Sequence, residues 1–226
     1  MLYGFLYPRY NKVFGIILIL FFISEEACSS AKGTQKTLLI IGDSLVQGFG
    51  LPQEDGFVRQ LNKKLIDDGM KVHLVNGGVS GDTTAGGLAR LDWSITNEID
   101  AVVVSLGAND MLRGLPPKHS KSNLTKIIQK LRDRNLPILL VGIKSIGNYG
   151  SDYKAKFDNI YYDLAKEFDL LLYPDLLSPI LNKEDVNLAD YYQSDKLHPN
   201  AAGVHLMVEG IKPFLADLIE IVISKD

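Results

Sequence analysis

Residues 37–45 read TLLIIGDSL, an apolar run that ends in Gly-Asp-Ser. A run of branched apolar residues is typical of a strand buried on both faces, and Gly-Asp-Ser favours a turn into a helix. Similar runs recur along the chain, separated by segments of helical periodicity. The further runs are residues 72–75, 101–106, 138–141 and 170–173, and the helical segments are 56–68, 84–97, 122–135, 153–168 and 201–224. This alternation predicts an α/β fold: a parallel five-stranded sheet between two layers of helices, in one three-layer α/β/α domain.

The composition is that of an ordinary folded protein. Of the 226 residues, 46% are hydrophobic and 23% are charged, and the net charge is −3. These values exclude a disordered or fibrous chain, and we expect no nucleic-acid partner because such binding needs clustered Lys and Arg. Cys28 is the only cysteine in the sequence, which excludes an intramolecular disulfide framework and a cysteine-based zinc site.

Residues 1–30 differ in character from the rest of the chain. Arg9 and Lys12 precede an apolar run at residues 13–23, and residues 24–31 are then polar or small. This order is typical of a secretory signal peptide, and the apolar run is about half of the roughly 20 residues that span a bilayer. We therefore expect a signal peptide at residues 1–30, no stable transmembrane anchor, and an exported domain at residues 31–226, either periplasmic or secreted.

Cys28 offers an alternative form of export. In a lipoprotein signal the cysteine is acylated and becomes the new N-terminus of the protein. Glu25 and Glu26 stand where such signals have an apolar and a small residue, which disfavours a lipid anchor on Cys28.

Polar residues gather after the predicted strands. In an open α/β sheet the carboxyl ends of the strands meet at one edge, where ligands bind. Ser44 follows the first strand, and Asp195 and His198 lie in the turn before the last helix. These are the residue types of an acyl-transfer site: a serine nucleophile, a histidine base and an aspartate that orients the imidazole. The spacing between Asp195 and His198 in a turn allows their side chains to meet.

An attacked carbonyl also needs N–H donors for the negative charge that develops on its oxygen. The candidates are the backbone N–H groups of Ser44 and Gly81 and the side-chain amide of Asn109, each of which follows a different strand. Gly81 has no side chain, so its backbone can approach a substrate closely. Each residue also has an ordinary use in a turn, a loop or a helix cap, and only their combination points to hydrolysis.

Other site types are disfavoured. The Gly-x-Ser-x-Gly motif of ordinary α/β-hydrolases is absent, as are the glycine motifs of dinucleotide-binding and phosphate-binding loops. His198 and His205 together suggest a metallohydrolase, but His205 lies in an apolar helical run, which favours a position in or near the core. We expect neither a metal nor an organic cofactor.

Four blocks of sequence carry a resemblance to a known family. They are residues 41–45 (IGDSL), 76–84 (NGGVSGDTT), 107–110 (GAND) and 195–200 (DKLHPN). In this order they resemble the SGNH, or GDSL, hydrolases, and within them the bacterial branch of thioesterase I, lysophospholipase L1 and arylesterase. The resemblance covers nearly the whole chain after the predicted signal peptide.

The resemblance implies specific roles. It makes Ser44 the nucleophile, Asp195 and His198 the rest of the triad, and Ser44, Gly81 and Asn109 the oxyanion hole. It also implies a flavodoxin-like sheet with strand order 2-1-3-4-5. Segments 111–114 and 147–150 are similar to those that flank the acyl groove in this branch. The residues expected around that groove are Met111, Leu112, Leu115, Ile143, Ile146 and Tyr149.

The sequence departs from the family pattern at Val46, where a small hydroxyl residue is usual, and at residues 144–146, where an arginine is more usual. Both departures concern substrate preference. We expect an exported, monomeric serine esterase that acts on small acyl esters, thioesters or lysophospholipids. The alternatives are a carbohydrate O-deacetylase on the same fold and a noncatalytic exported binding domain.

Overall fold

The structure is a computed structural model that describes residues 1, 35–183 and 187–225. The predicted signal peptide and Cys28 therefore lie outside the described residues, apart from Met1. The described chain contains a parallel sheet of five strands in the order β2-β1-β3-β4-β5, which confirms the expected topology. The strands are β1 (Lys36–Gly42), β2 (Val72–Gly78), β3 (Ala101–Ser105), β4 (Ile138–Val141) and β5 (Leu171–Tyr173).

The helices connect the strands and cover the sheet. They are α1 (Ser44–Gln47), α2 (Phe57–Asp67), α3 (Thr84–Ser94), α4 (Ala108–Leu112), α5 (Pro117–Asp133), α6 (Ser151–Phe168), α7 (Ser178–Leu181) and α8 (Ala201–Ile223). Two short 3-10 helices lie at Gln53–Asp55 and Leu188–Tyr191. None of the helices in the described ranges is long and apolar enough to cross a membrane.

The predicted helices differ from the observed ones in two respects. α5 begins at Pro117, five residues before the predicted start at residue 122, because proline fits the first turn of a helix even where the apolar period has not begun. α1, α4 and α7 are four or five residues long, too short for a period to appear in the sequence.

The core lies on both faces of the sheet, because successive residues of a strand point to opposite sides. Leu38 and Ile40 of β1 pack with α2 and α8, whereas Leu39 and Ile41 pack with α3, α5 and α6. All four side chains are at most 1% exposed. The runs in β1, β3 and β4 are therefore buried strands, as predicted, whereas the edge strands β2 and β5 are only partly buried. The domain has three layers.

The strand register sets the position of the connecting loops. Gly42 at the end of β1 pairs with Gly78 of β2 on one side and with Ser105 of β3 on the other. The segments that follow these three strands therefore leave the sheet at the same level. This arrangement brings the polar residues of three separate loops to one edge.

Candidate active site

Ser44 begins α1 directly after β1. Asp43 caps this helix, with its carboxylate accepting a hydrogen bond from the backbone N–H of Leu45 at 3.0 Å. Gly42 allows α1 and β3 to approach closely, because a Cβ at this position would collide with the Val46 side chain and lie 2.8 Å from the carbonyl oxygen of Ser105. Asp43 is only 3% exposed, and this burial raises the pKa of its carboxyl to about 6.

The structure brings Ser44, His198 and Asp195 into one chain of hydrogen bonds. The distance from Ser44 Oγ to His198 Nε2 is 3.0 Å, and that from His198 Nδ1 to Asp195 Oδ2 is 2.7 Å. A carboxylate at Nδ1 favours the imidazole tautomer that carries its proton there. Nε2 then faces the serine hydroxyl as an acceptor, which is the arrangement that nucleophilic activation requires.

Asp195 is held by its own segment of chain. Its Oδ1 accepts hydrogen bonds from the backbone N–H of His198 at 3.0 Å and of Leu197 at 2.9 Å. The bond from the His198 backbone, then that from its imidazole, then that from Leu197 lower the pKa of Asp195 to about 2. Asp195 is therefore ionised over the whole neutral range and can stabilise a charged imidazolium.

The imidazole of His198 also contacts an aromatic ring. The ring centroids of Phe49 and His198 lie 4.7 Å apart, with a tilt of 40° between the ring planes. Phe49 follows α1 in sequence, and no motif in the sequence analysis included it. Its position shows that the turn after the serine helix also supports the histidine.

The candidate oxyanion donors lie at the same edge. Gly81 has a φ of 82°, a left-handed conformation that favours glycine, and its carbonyl accepts a hydrogen bond from Arg113 at 2.8 Å. Asn109 Nδ2 donates one of its two hydrogens to the carbonyl of Asp82 at 3.0 Å. The other N–H has no hydrogen-bond partner among the described residues, and Gly81 and Asn109 line the groove together with Ser44.

A buried carboxylate supports α4, the helix that carries Asn109. Asp110 is 1% exposed and accepts three hydrogen bonds: from the Thr84 backbone N–H at 2.7 Å, the Thr84 hydroxyl at 2.6 Å and the Ser120 hydroxyl at 2.9 Å. These bonds tie α4 to α3 and α5. The sequence places Asp110 only within the block 107–110 and does not identify these partners.

A second polar bridge connects the loop after β2 to the end of β1. Arg90 of α3 donates to the carboxylate of Asp82 at 2.6 Å and to the carbonyl of Gly42 at 3.0 Å. Asp82 and Gly42 flank the loops that carry Gly81 and Ser44. Arg90 therefore holds two parts of the site in register, and sequence reasoning had missed it.

An apolar groove with a volume of about 710 Å³ opens beside Ser44 and His198. Met111, Leu112, Ile143 and Ile146 line it, as expected from the sequence. Leu115 and Tyr149 do not line it, contrary to expectation. The Tyr149 hydroxyl donates to the carbonyl of Leu112 at 3.0 Å instead, so this ring packs beside the loop after α4. The carbonyl of Leu115 similarly accepts a hydrogen bond from the hydroxyl of Tyr153 at 3.0 Å.

The opposite wall of the groove consists of apolar residues that no sequence motif identified individually. This wall comes from two described stretches, residues 177–181 and 188–197, and its apolar members are Leu177, Leu181, Leu188, Ala189, Tyr192 and Leu197. Leu181, Leu188 and Leu197 are each more than 40% exposed, so they form the mouth of the groove. Three charged residues also line it: Lys144, Lys196 and Asp175. The leucines that recur in these stretches were the feature of the sequence that could have identified this wall.

The two histidines considered for a metal site lie apart. His198 lines the apolar groove, whereas His205 is exposed, and not in or near the core as expected, and lines a separate cleft between α2 and α8. Within residues 35–183 and 187–225, no three His, Cys, Asp or Glu side chains are grouped so as to hold a metal ion.

Residues 40–206 match the GDSL-like Lipase/Acylhydrolase family. The chain is 37% identical over 185 residues to the Esterase TesA of Pseudomonas aeruginosa, an alignment that covers 81% of this chain and 90% of that protein. It is 36% identical over 182 residues to the Thioesterase 1/protease 1/lysophospholipase L1 of Escherichia coli, covering 80% of each.

The fold is also similar to that of a solved esterase. The crystal structure of AlinE4, an SGNH-hydrolase family esterase, superimposes with a TM-score of 0.67 at 36% identity, covering 82% of this chain and 97% of that one. The family match extends from β1 into the last helix and so includes every residue of the groove described above. By its sequence and its fold, this chain belongs to the GDSL-like lipase/acylhydrolase family.

Proposed function

We propose that the protein is a serine hydrolase that cleaves acyl esters and thioesters through Ser44, His198 and Asp195. The observation that carries this proposal is the unbroken chain of hydrogen bonds from Asp195 through His198 to Ser44, at the side of an apolar groove. Membership of a lipase and acylhydrolase family supports hydrolysis of ester bonds. The relatives named esterase and thioesterase support the same reaction class.

The reaction proceeds in two halves. His198 Nε2 removes the proton from Ser44 as the serine oxygen attacks the carbonyl carbon, and a tetrahedral intermediate forms. His198 then gives this proton to the departing alcohol or thiol as the carbon–oxygen or carbon–sulfur bond breaks, which leaves an acyl group on Ser44. A water molecule repeats the attack with the help of His198, so that the carboxylic acid is released and the serine is restored.

The charge on the intermediate is met by donors that are already in place. We assign the backbone N–H groups of Ser44 and Gly81 and the free amide N–H of Asn109 to the oxyanion hole. The bond from Asn109 to the carbonyl of Asp82 fixes the orientation of this amide before substrate binds. Preorganised donors of this kind are effective because they need not reorient during the reaction.

The groove favours an acyl chain as the substrate group that it binds. Its lining is mainly aliphatic on both walls, and its volume of about 710 Å³ falls in the range of small-molecule sites. A carbohydrate O-deacetylase would need an open, polar site for the sugar. We therefore propose acyl esters, thioesters and lysophospholipids as the candidate substrates.

Export belongs to the same proposal. The signal-peptide pattern of residues 1–30 supports a protein that is periplasmic or secreted, with a mature chain beginning near Ser30, and a lipid anchor on Cys28 is the alternative. We propose that the mature chain acts as a monomer. Determination of the N-terminal residue and mass of the exported protein, together with its size in solution, tests all three points.

Hydrolysis of p-nitrophenyl esters, from acetate to palmitate, tests the proposed activity. The mature chain is compared with Ser44→Ala. We expect activity that rises with acyl length and that is lost in Ser44→Ala. Activity confined to acetate would favour a deacetylase, and no activity at any length would favour a binding domain.

A further inference from the structure

The contact between Ser44 and His198 joins two segments that are 154 residues apart in sequence. The serine segment, residues 43–50, contains α1 and the turn that follows it. The histidine segment, residues 193–199, contains both Asp195 and His198. Because their separation in sequence is so large, the distance between Ser44 Oγ and His198 Nε2 depends on how the two segments are held against each other.

The local hydrogen bonds of the site do not hold the two segments together. Asp43 accepts from Leu45 within the serine segment. Asp195 accepts from Leu197 and His198 within the histidine segment. Each carboxylate therefore shapes its own segment, and the spacing between the segments needs a different contact.

The side chain of Gln193 spans the two segments. Its Nε2 donates to the carbonyl of Phe49 at 2.8 Å and to the carbonyl of Pro199 at 3.0 Å. Both hydrogens of the amide are thereby used. Its backbone N–H also donates to the carbonyl of His198 at 2.8 Å. Gln193 is therefore bonded to the residue on each side of the His198–Pro199 peptide and to the turn that follows Ser44.

The serine segment is shaped to receive this amide. Gly50 has a φ of 76°, which favours glycine, and a Cβ at this position would collide with Oε1 of Gln193. The carbonyl that Gln193 holds belongs to Phe49, whose ring lies against the imidazole of His198 at 4.7 Å. One amide thus fixes both the backbone of the turn and the aromatic ring that supports the histidine.

We propose that Gln193 is a positioning residue for hydrolysis: its amide sets the distance between the Ser44 hydroxyl and the His198 imidazole by bridging the serine segment to the histidine segment. This inference rests on the proposed function, because it concerns the same proton transfer. A misplacement of about 1 Å at a reacting pair can lower the rate by about 100-fold. Removal of the amide should therefore act on kcat and leave the apolar groove, and so KM, little changed.

The chain offers a matched control in Gln60 of α2. Its Nε2 also donates to two backbone carbonyls, of Asp55 at 2.8 Å and of Ala201 at 3.3 Å, and the second lies 141 residues away in sequence. Gln60 does not line the apolar groove; it lines the cleft between α2 and α8. Gln60→Leu therefore removes an equivalent bridge without touching the proposed active site.

The experiment compares Gln193→Leu and Gln60→Leu with the wild-type chain and Ser44→Ala, measuring kcat, KM and Tm with one p-nitrophenyl ester. We expect Gln193→Leu to lower kcat by about 10- to 100-fold, with KM near the wild-type value. Gln60→Leu should keep the wild-type kcat, while its Tm falls by about as much as the Tm of Gln193→Leu. This split between kcat and Tm separates positioning from a general loss of stability.

A second variant supplies a readout that a purely structural role would not change. In Gln193→Glu the protonated carboxyl can donate one hydrogen bond to a carbonyl, whereas the ionised carboxylate can donate none. The ratio of its kcat to that of the wild-type chain should therefore fall as the pH rises from about 4 to about 7, across the titration range of a glutamate. The same ratio for Gln60→Glu should stay constant.

The outcomes for Gln193 and for the reaction itself are distinct. A wild-type kcat in Gln193→Leu, an equal loss in Gln60→Leu, or a constant ratio in Gln193→Glu would overturn the role of Gln193. If Ser44→Ala is inactive in the same assay, the serine mechanism stands in each of these cases. Full activity in Ser44→Ala, or no activity in the wild-type chain, would instead overturn the proposed function, and the role of Gln193 with it.

Discussion

The buried carboxyl of Asp43 should make the stability of this protein depend on pH in a direction opposite to that of most aspartates. Asp43 is 3% exposed, and its burial raises its pKa from 3.8 to about 6. Because the folded state then binds the proton more tightly than the unfolded state, the contribution of Asp43 is most favourable below about pH 4 and is lost as the pH rises to about 6. A change of about 2 pKa units corresponds to about 3 kcal/mol.

The comparison of Asp43→Asn with the wild-type chain isolates this effect. The amide does not titrate, so any constant difference in packing or capping between the two proteins cancels when pH is varied. The unfolding free energy of Asp43→Asn, relative to that of the wild-type chain, should rise by about 2 kcal/mol between about pH 4 and about pH 7.5. Urea denaturation at several pH values measures this difference.

Asp68 supplies the control for the same measurement. Its pKa is lowered by a hydrogen bond from Lys212, so both of its relevant pKa values lie at or below 3.8. The stability difference between Asp68→Asn and the wild-type chain should therefore be nearly flat above about pH 5. A flat profile for Asp43→Asn as well would refute the reasoning, since the folded protein would then not favour the protonated Asp43.

Three further predictions concern the site and the core. Asn109→Ala should lower kcat by about 100- to 1000-fold with little change in KM, because one oxyanion donor is lost. Steady-state kinetics test this prediction. The control is Asn123→Ala, which removes an amide that donates to the Thr84 hydroxyl at 3.0 Å. Asp195→Asn should lower kcat by about 10⁴-fold, because the amide no longer favours the proton on His198 Nδ1; activity near that of the wild-type chain would argue against an Asp195–His198 dyad. Phe157→Ala should lower the unfolding free energy by about 3–5 kcal/mol, because the ring is 0% exposed and its loss leaves a cavity. Urea denaturation measures this change, and a loss below about 1 kcal/mol would contradict the burial of the Phe157 ring in the core.

Local sequence patterns were sufficient for the main features of the fold and for the three proposed triad residues. The branched apolar runs identify the strands, and those of β1, β3 and β4 are buried on both faces, where a helix or a half-exposed strand would show a polar period. The spacing of Asp195 and His198 allowed their contact to be foreseen, because it forms within one turn of the chain. The strand order was available only through the resemblance to a known family, since periodicity does not determine which strands are neighbours.

Tertiary structure decided the features that depend on residues far apart in sequence. The opposite wall of the groove includes Leu181, Leu188 and Leu197, which lie in stretches without a helical or strand period in the sequence. Tyr149 was expected at the groove, but its hydroxyl donates to the Leu112 carbonyl. The position of this ring depends on how the loop after α4 packs. Gln193 reaches a carbonyl 144 residues away. Such contacts leave no local signal, because they arise when the sheet brings distant loops to one edge.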